Sequence, residues 1–238
     1  MNLLLFAAHE RTPQNTLILP VQDRRATHIT QVLQLQLGDT LEVGQINAGI
    51  GQAKILAINS QHLILDLLSL NQAAPPALPV TLILALPRPR MLARSLEHMV
   101  TLGVKHLVLL HTARVQKSYW QSPELKEEKI AQHIQLGLEQ AKDTVWPHIT
   151  YAPLFKPFVE DVLPEIIQGK KALFAHPHSQ QACPRGLQEA CVLVIGPEGG
   201  LVPYEVDLLT QAGLEGVHLG PRILRVETAV TALLARLF

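Results

Sequence analysis

Short apolar runs alternate with helix-forming segments throughout residues 80–238, and this alternation restricts the fold more than any other feature of the chain. The predicted strands are Val80–Leu86, His106–Leu110, His148–Tyr151, Ala172–Ala175, Cys191–Ile195 and Val217–Leu219. The predicted helices are Met91–Leu102, residues 122–142, Phe158–Ile167, Tyr204–Gln211 and Glu227–Leu237. This order predicts an α/β fold in which a parallel sheet is covered by helices on both faces. Ligands of such sheets bind at the carboxyl ends of the strands, so the loops that follow the strands are candidate sites.

The first 70 residues have a different pattern, with several short strands and one helix. The predicted strands are Leu3–Phe6, Leu17–Leu19, Leu41–Val43, Ala53–Ile58 and Leu63–Leu68. A helical pattern begins at Asp23 and ends at Gly38. So many short strands in so few residues suggest a small β-barrel. Residues 71–79 are rich in Pro and Ala and lack apolar periodicity, so we predict domains at 1–70 and 80–238 that are joined by this linker.

Charge is balanced in both parts of the chain, which has 20 Lys and Arg against 20 Asp and Glu. Residues 1–74 carry four basic and five acidic side chains, and the remainder carries sixteen and fifteen. Hydrophobic residues make up 47% of the chain and charged residues 17%, which excludes intrinsic disorder. The balance argues against a protein that binds nucleic acid by bulk charge. Phosphate binding must therefore come from local arginine clusters, and we expect a shallow salt dependence.

Neither the cysteines nor the apolar segments indicate an exported or membrane-bound protein. Cys183 and Cys191 form no disulfide framework and no CxxC pair, which is typical of a reducing compartment. No apolar run approaches the ~18–20 residues that span a membrane. The apolar run Leu3–Phe6 lacks the basic flank of a signal peptide. We therefore expect a cytoplasmic protein that contacts no membrane, and we predict no metal site.

A glycine-rich loop, Ile195-Gly196-Pro197-Glu198-Gly199-Gly200, follows a predicted strand. Its glycines permit positive φ angles and let the backbone approach a ligand closely. Gly-Lys-Ser/Thr does not follow, which excludes a P-loop, and the GxGxxG spacing of dinucleotide-binding folds is absent. Taken alone, such a loop is as often a plain turn as a ligand site.

A second loop, residues 219–229, has the sequence LGPRILRVETA and leads into the last predicted helix. It places Arg222 and Arg225 three positions apart, and arginine pairs readily with phosphate or carbonyl oxygens. Taken alone, this loop is more simply interpreted as a capped helix start with solvated charges.

Together, the two loops resemble the SPOUT superfamily of S-adenosylmethionine-dependent methyltransferases. The resemblance is greatest to the RsmE family, which methylates N3 of a uridine in small-subunit ribosomal RNA. It extends over nearly the whole chain, since further segments fall in the family's order: His28–Leu33, Leu102–Val104, Glu139-Gln140, Trp146-Pro147 and Leu173–Pro177. It implies a SPOUT trefoil-knotted parallel-sheet methyltransferase domain, preceded by a small PUA-like β-barrel domain that binds RNA. It also implies a homodimer whose interface is the knot region. Four apolar residues of the last helix then serve either that interface or the core: Leu233, Leu234, Leu237 and Phe238.

The resemblance implies that three segments cradle S-adenosylmethionine as the cofactor, with backbone groups holding the adenine and ribose. The implied cofactor-binding residues are Leu173, Phe174, His176, Ile195, Gly196, Glu198, Gly199, Gly200, Leu219, Gly220, Ile223, Leu224, Arg225, Glu227, Thr228 and Ala229.

Methylation of uracil N3 requires the base to lose a proton, which leaves negative charge on its two carbonyl oxygens. Positioned cations stabilise such charge, so we expect Arg225, together with Arg222, to be catalytic. Glu198 is expected to hold the amino group of the cofactor or to orient Arg225. The sequence identifies no general base, and His176 is more simply interpreted as a structural histidine than as that base.

Six arginines are predicted to bind RNA, namely Arg24, Arg25, Arg88, Arg90, Arg94 and Arg114. Other positions expected to face RNA depart from the family pattern, namely Gln34, Glu97, His98, Thr101 and Asp143. Either neighbouring arginines compensate for these departures, or the chain has an altered substrate or weaker RNA binding.

The sequence therefore predicts a methyltransferase for N3 of a uridine in 16S (small-subunit) ribosomal RNA. Its predicted partners are ribosomal RNA or the small ribosomal subunit, and a second copy of the chain. Two alternatives stay open: a SPOUT enzyme for another RNA or base, and a catalytically weak RNA-binding assembly protein. An α/β oxidoreductase is disfavoured because the dinucleotide fingerprint is missing.

Overall fold

The computed structural model describes residues 2–238 and divides the chain into two compact units. Unit 1 comprises the chain up to residue 76 together with residues 135–146, and unit 2 comprises residues 77–134 and 147–238. The sequence pattern had assigned residues 135–146 to the second domain. They belong to unit 1 because its backbone bonds to them: the Asn47 amide donates to the Thr144 carbonyl at 2.8 Å, and the Asn2 amide donates to the Glu139 carbonyl at 3.3 Å.

A five-stranded sheet forms the centre of unit 1. Its strands are β1 (Leu4–Phe6), β2 (Thr16–Pro20), β3 (Thr40–Gln45), β4 (Ile50–Ile58) and β5 (His62–Leu67). The strand order is β1-β3-β4-β5-β2, in which β1 runs parallel to β3 and the other neighbours are antiparallel. Alternate residues of β5, Leu63, Leu65 and Leu67, point into the apolar core, as the period of two along a strand requires.

The helical segment of unit 1 is shorter than its sequence pattern predicts. Asp23 caps helix α1 (Arg24–Thr27) by accepting the Arg25 amide at 2.8 Å, and a π-helical turn continues through His28–Val32. Gln34 then adopts a φ of +54°, so the helix stops there and does not reach Gly38.

Unit 2 contains a seven-stranded sheet in which all neighbouring strands are parallel. Its strands are β6 (Val80–Ala85), β7 (His106–Leu110), β8 (His148–Ala152), β9 (Lys171–Ala175), β10 (Gln181–Ala182), β11 (Cys191–Ile195) and β12 (Glu215–His218). The strand order is β10-β12-β9-β11-β6-β7-β8. The following helices are α2 (Pro89–Thr101), α3 (Glu127–Ala141), α4 (Phe155–Pro157), α5 (Leu163–Ile167), α6 (Pro203–Gln211) and α7 (Val226–Leu237), of which α3 belongs to unit 2 only up to residue 134. The parallel α/β arrangement predicted from the alternation is confirmed.

Three elements of unit 2 differ from the predicted ones in their bounds or continuity. The helix expected from Ser122 is interrupted, because Lys126 is extended (φ −62°, ψ 142°) between a 3-10 turn at Pro123–Leu125 and α3. The helix expected at Phe158–Ile167 is replaced by α4, a π-helical turn over residues 158–162, and α5. Pro164 accounts for this irregularity, since it has no amide to continue the ladder. The last strand lies at Glu215–His218, so it starts two residues and ends one residue earlier than predicted.

Strand β11 lies at the centre of the sheet, and all five of its residues are buried. Leu233, Leu234 and Leu237 of α7 are at most 1% exposed, so they belong to the core of this chain. Cys183 and Cys191 are free and buried, and burial raises the pKa of the Cys191 thiol to about 12.

Candidate active site

The loops that follow β9, β11 and β12 meet at the carboxyl edge of the unit 2 sheet and enclose a cleft of about 620 Å³. The strands are neighbours in the order β12-β9-β11, which places the ends of the loops side by side. The lining includes Ala175, His176, Ile195, Gly196, Glu198, Gly199, Gly200, Leu219, Gly220, Arg222, Ile223, Leu224 and Ala229. Volumes of this size hold cofactors and other small molecules.

The loop after β11 is shaped by its glycines. Gly200 has a φ of +76°, which disfavours a side chain, and its amide donates to the Pro197 carbonyl at 2.8 Å. A Cβ atom at Gly196 would lie 3.0 Å from the Leu201 side chain, and one at Gly199 would lie 3.0 Å from Arg114 Cδ. Glycine at these positions therefore lets the Leu201 and Arg114 side chains pack directly against the backbone of the loop.

The loop after β12 forms the opposite wall. Gly220 has a φ of +113°, and its amide donates to His218 Nδ1 at 2.9 Å. Ile223 is 78% exposed, so the loop presents apolar surface at the cleft. Arg225 occupies the N-cap position of α7, where its carbonyl accepts the Ala229 amide at 2.8 Å.

The structure brings together most, but not all, of the predicted cofactor-binding residues. Leu173 and Phe174 are buried within β9 and lie outside the lining set. Arg225, Glu227 and Thr228 lie at the start of α7 and outside the lining set. Of the two predicted catalytic arginines, Arg222 lines the cleft directly.

Glu198 has a partner that the sequence did not indicate. Its Oε1 atom accepts the backbone amide of Arg88 at 3.1 Å, which links the loop after β11 to the residue before α2. This link lies at the carboxyl ends of two neighbouring strands, β11 and β6.

Glu205 in the first turn of α6 is a buried positioning residue that the sequence patterns did not single out. Its carboxylate accepts the Ala113 amide at 2.6 Å and the Val202 amide at 2.9 Å, and the residue is 2% exposed. The Ala113 bond anchors the loop after β7 beside the cleft. The sequence signal for this role was Glu205 two residues after Pro203, which starts the helix. An acidic residue at this position predicts a carboxylate that binds free amides at a helix N-terminus.

Three histidines line the cleft, namely His176, His178 and His218. The His176 and His178 rings are 5.6 Å apart. Burial, and secondarily the neighbouring His178, holds the pKa of His176 below its ordinary value of 6.5, so this imidazole is neutral at pH 7. His178 and His218 were not predicted from the sequence, although His178 follows the same strand two residues after His176.

The arginines predicted to bind RNA occupy several different environments. Arg88, Arg90 and Arg94 are exposed at or near the start of α2 in unit 2. Arg24 belongs to unit 1, where its Nη2 atom lies 2.7 Å from the buried Glu139 carboxylate and its side chain is 43% exposed. Arg114 lines the cleft, where its Nη1 atom donates to the Gly199 carbonyl.

Arg25 corrects one part of the RNA-binding prediction. It is 8% exposed and its Nη2 atom pairs with Glu10 at 2.6 Å and Asp23 at 2.8 Å, while Nη1 donates to the Leu5 carbonyl at 3.0 Å. Burial alone would raise the pKa of Glu10, but hydrogen bonds from Arg25 and the Ala7 amide outweigh it and hold that pKa below 4.5. Arg25 is therefore a structural residue of unit 1.

Two departures from the family pattern also have internal partners. Asp143 is 3% exposed, and its Oδ1 atom accepts the Val145 amide at 2.9 Å. Glu97 lies 2.8 Å from His133 Nδ1. These carboxylates therefore take part in internal contacts, whereas Gln34, His98 and Thr101 are exposed.

Residues 2–238 contain no cluster of three or more His, Cys, Asp or Glu side chains that is suited to hold a metal ion. Over the same range, no helix has both the length and the apolar character needed to cross a membrane.

The chain thus has a parallel α/β unit with a cleft built from loops, and a small β-rich unit. Known proteins with similar sequences show to which family this architecture belongs. The RNA methyltransferase domain family matches residues 74–238, and the RNA methyltransferase PUA domain family matches residues 21–68. Since the first match covers more than half of the chain, the protein belongs to the RNA methyltransferase family.

Two relatives share a name that is more specific than that of the family. Ribosomal RNA small subunit methyltransferase E of Treponema pallidum is 29% identical over 236 residues, which are 98% of this chain and 88% of the relative. The Synechocystis protein of the same name is 30% identical over 218 residues, which are 88% of this chain and 69% of the relative.

A solved structure confirms the fold. Ribosomal RNA small subunit methyltransferase E from Neisseria gonorrhoeae, bound to S-adenosyl methionine, matches with a TM-score of 0.71 and 20% identity, over 98% of this chain and 95% of that one. The two family matches and this fold together confirm the predicted architecture, an α/β methyltransferase domain preceded by a PUA-like domain. The trefoil knot stays a prediction.

Proposed function

We propose that this protein transfers a methyl group from S-adenosylmethionine to N3 of a uridine in small-subunit ribosomal RNA. The observation that carries the proposal is the cleft, in which the two motif-bearing loops after β11 and β12 line a single volume of about 620 Å³. The relatives named for small-subunit ribosomal RNA support the substrate. The exposed arginines Arg24, Arg88, Arg90 and Arg94 are proposed to contact RNA phosphates.

The residues of the cleft fit S-adenosylmethionine. Apolar groups such as Ile195, Val217 and Leu219 suit an adenine ring, and Gly196 lines the cleft with its backbone. Carboxylates of Glu198 and Asp207 at the cleft suit a cationic ligand. The solved relative bound to S-adenosyl methionine agrees with this assignment.

The cofactor supplies an electrophilic methyl group when it is bound. The protein's own part is to position the base and to stabilise the negative charge on the two uracil oxygens after N3 loses its proton. We assign this role to Arg222, which lines the cleft, and to Arg225, which lies three residues further at the start of α7. His176 is neutral at pH 7 and lines the cleft, so it is the candidate to accept the proton.

The remaining parts of the proposal concern organisation. Residues 1–70 are proposed to form the RNA-binding domain and residues 80–238 the methyltransferase domain, with 71–79 between them. A homodimer and a knotted cofactor region complete the proposal. Because the leucines of α7 are buried in the core, such a dimer must use other residues of the knot region. Action on ribosomal RNA supports a cytoplasmic location.

The test is methyl transfer by the purified full-length chain to small ribosomal subunits that lack the modification. Nucleoside mass spectrometry of the digested RNA should show a gain of 3-methyluridine that depends on S-adenosylmethionine. Methylation of a different nucleoside would show that the proposed target, uridine N3, is wrong. Cofactor and RNA binding without any methyl transfer would instead identify an RNA-binding assembly protein.

A further inference from the structure

We propose that Arg114 binds the α-carboxylate of S-adenosylmethionine and that Glu205 positions it for this task. The inference rests on the proposed function, because it assigns a residue to the cofactor of that same cleft. It differs from the sequence-based expectation, which placed Arg114 among the residues that contact RNA.

The first observation is the distribution of charge around the cleft. Its inner wall is apolar, with Ala175, Val217 and Leu233 among its residues, whereas Arg114, Glu198 and Asp207 contribute charge. An adenosyl group is largely apolar, and the amino-acid tail of the cofactor carries its only carboxylate. Desolvation therefore favours the adenosyl group against the apolar wall and the tail beside the charged residues.

The second observation is that Arg114 is held at the cleft by its own contacts. Its Nη1 atom donates to the Gly199 carbonyl, and its side-chain carbons pack where Gly199 has no Cβ. A guanidinium has five N–H donors, so a bond to one carbonyl leaves a fork of donors for a carboxylate. Arg114 and Arg222, the two arginines of the lining, are both exposed, and the bond to Gly199 is what fixes the position of Arg114.

The third observation is the anchoring of the Arg114 backbone. Glu205 is 2% exposed and accepts the amide of Ala113, the residue before Arg114, at 2.6 Å. The same carboxylate accepts the Val202 amide at 2.9 Å, next to the glycine-rich loop. A buried carboxylate thus joins the two loops, which reduces the loss of freedom when Arg114 binds a ligand.

The experiment compares S-adenosylmethionine with decarboxylated S-adenosylmethionine, which lacks only the carboxylate, by calorimetric titration of the full-length chain. Wild-type protein should prefer the carboxylated ligand by about 10- to 100-fold, the range of a charged hydrogen bond. Arg114→Ala should abolish the preference, because it lowers the affinity for S-adenosylmethionine far more than the affinity for the decarboxylated ligand. Arg114→Lys should retain part of the preference. Arg185→Ala is the matched control, since it removes an exposed arginine of the same unit outside the cleft lining.

Other outcomes would overturn the assignment. If Arg114→Ala keeps the full preference, the carboxylate is bound elsewhere and Arg114 remains a candidate for RNA. An equal loss for both ligands would show that Arg114 only supports the cleft. If wild-type protein binds neither ligand, the proposed function itself fails, which distinguishes that failure from an error about Arg114.

The role of Glu205 is tested in the same titration. Glu205→Gln should reduce the preference several-fold in the wild-type background and have no effect on it in the Arg114→Ala background, because Glu205 acts through Arg114. A loss of affinity for both ligands, equal in the two backgrounds, would show a merely structural role. If Glu205→Gln does not fold, Ala113→Pro is used in its place. This variant removes the amide that donates to Glu205.

Discussion

The cleft loops and the arginines predicted to bind RNA differ in how the fold uses them. The cleft gathers residues from the loops after β9, β11 and β12 into one volume, and four of these residues are glycines. The arginines are divided between two units and range from Arg25 at 8% exposure to the exposed Arg88 and Arg90. A site built from backbone leaves a recognisable glycine pattern, whereas a charged side chain leaves no sign of whether it faces a ligand or an internal partner.

The largest effect is expected from removing the charge that stabilises the uracil anion. Arg225→Ala should lower the methyl-transfer rate by about 100- to 1000-fold, the range of a lost transition-state donor. The affinity for S-adenosylmethionine should stay within a fewfold of wild type, because the proposed role of Arg225 is toward the uracil and not toward the cofactor. Rates come from single-turnover transfer and affinities from titration, with Arg185→Ala as control. A normal rate would remove Arg225 from the mechanism.

The next effect concerns the buried arginine. Arg25→Ala should destabilise the protein by about 3 kcal/mol, because Glu10 and Asp23 would be left as partly buried carboxylates without their cation. Urea denaturation measures this, and Arg90→Ala, which removes an exposed charge, should change stability by less than about 0.5 kcal/mol. Equal stability of the two variants would contradict the distinction between structural and surface arginines.

A matched pair of glycines tests the backbone-built cleft. Gly220 (φ +113°) and Gly213 (φ +98°) both have open space where a Cβ atom would lie, but only Gly220 lines the cleft. Substitution of either glycine by Ala should lower the free energy of unfolding by about 1–2 kcal/mol through backbone strain. Only Gly220→Ala should weaken S-adenosylmethionine binding, by about tenfold. Equal affinities of the two variants would exclude the loop after β12 from the cofactor site.

Arginines on the exposed surface should have smaller effects on RNA binding. Arg90→Ala should weaken binding a fewfold and lower the slope of log affinity against log salt by about 1, as expected for one phosphate contact. Arg25 is buried, so it should contribute nothing to the slope in folded protein. A steep wild-type slope, equivalent to many phosphates, would contradict the balanced charge of residues 1–74 and of the remainder of the chain.

The smallest effect is expected for the pH dependence of S-adenosylmethionine binding. The pKa of His176 is held below 6.5, so its imidazole is neutral at pH 7 and becomes charged only as the pH falls through that lowered value. Its positive charge would then repel the sulfonium of the cofactor, and the affinity should fall a fewfold as the pH falls through that lowered pKa. His176→Gln should flatten this dependence. The same fall in both proteins would assign the effect to another group.

The sequence was informative wherever a physical constraint has a local pattern. Apolar alternation predicted the parallel sheet, and the glycine-rich segments predicted the loops at Gly200 and Gly220, whose φ angles are positive. It was uninformative where partners are distant in the chain. Glu205 accepts an amide 92 residues away, and the burial of Arg25 depends on Glu10, fifteen residues earlier. Packing decides such pairs, and no spacing reveals them.

The most direct test of the account is the content of 3-methyluridine in small-subunit ribosomal RNA from a strain that lacks the gene. Nucleoside mass spectrometry should show that the nucleoside is lost, and that it returns with the wild-type gene but not with Arg225→Ala. An unchanged level of 3-methyluridine in the deletion strain would contradict the proposed substrate.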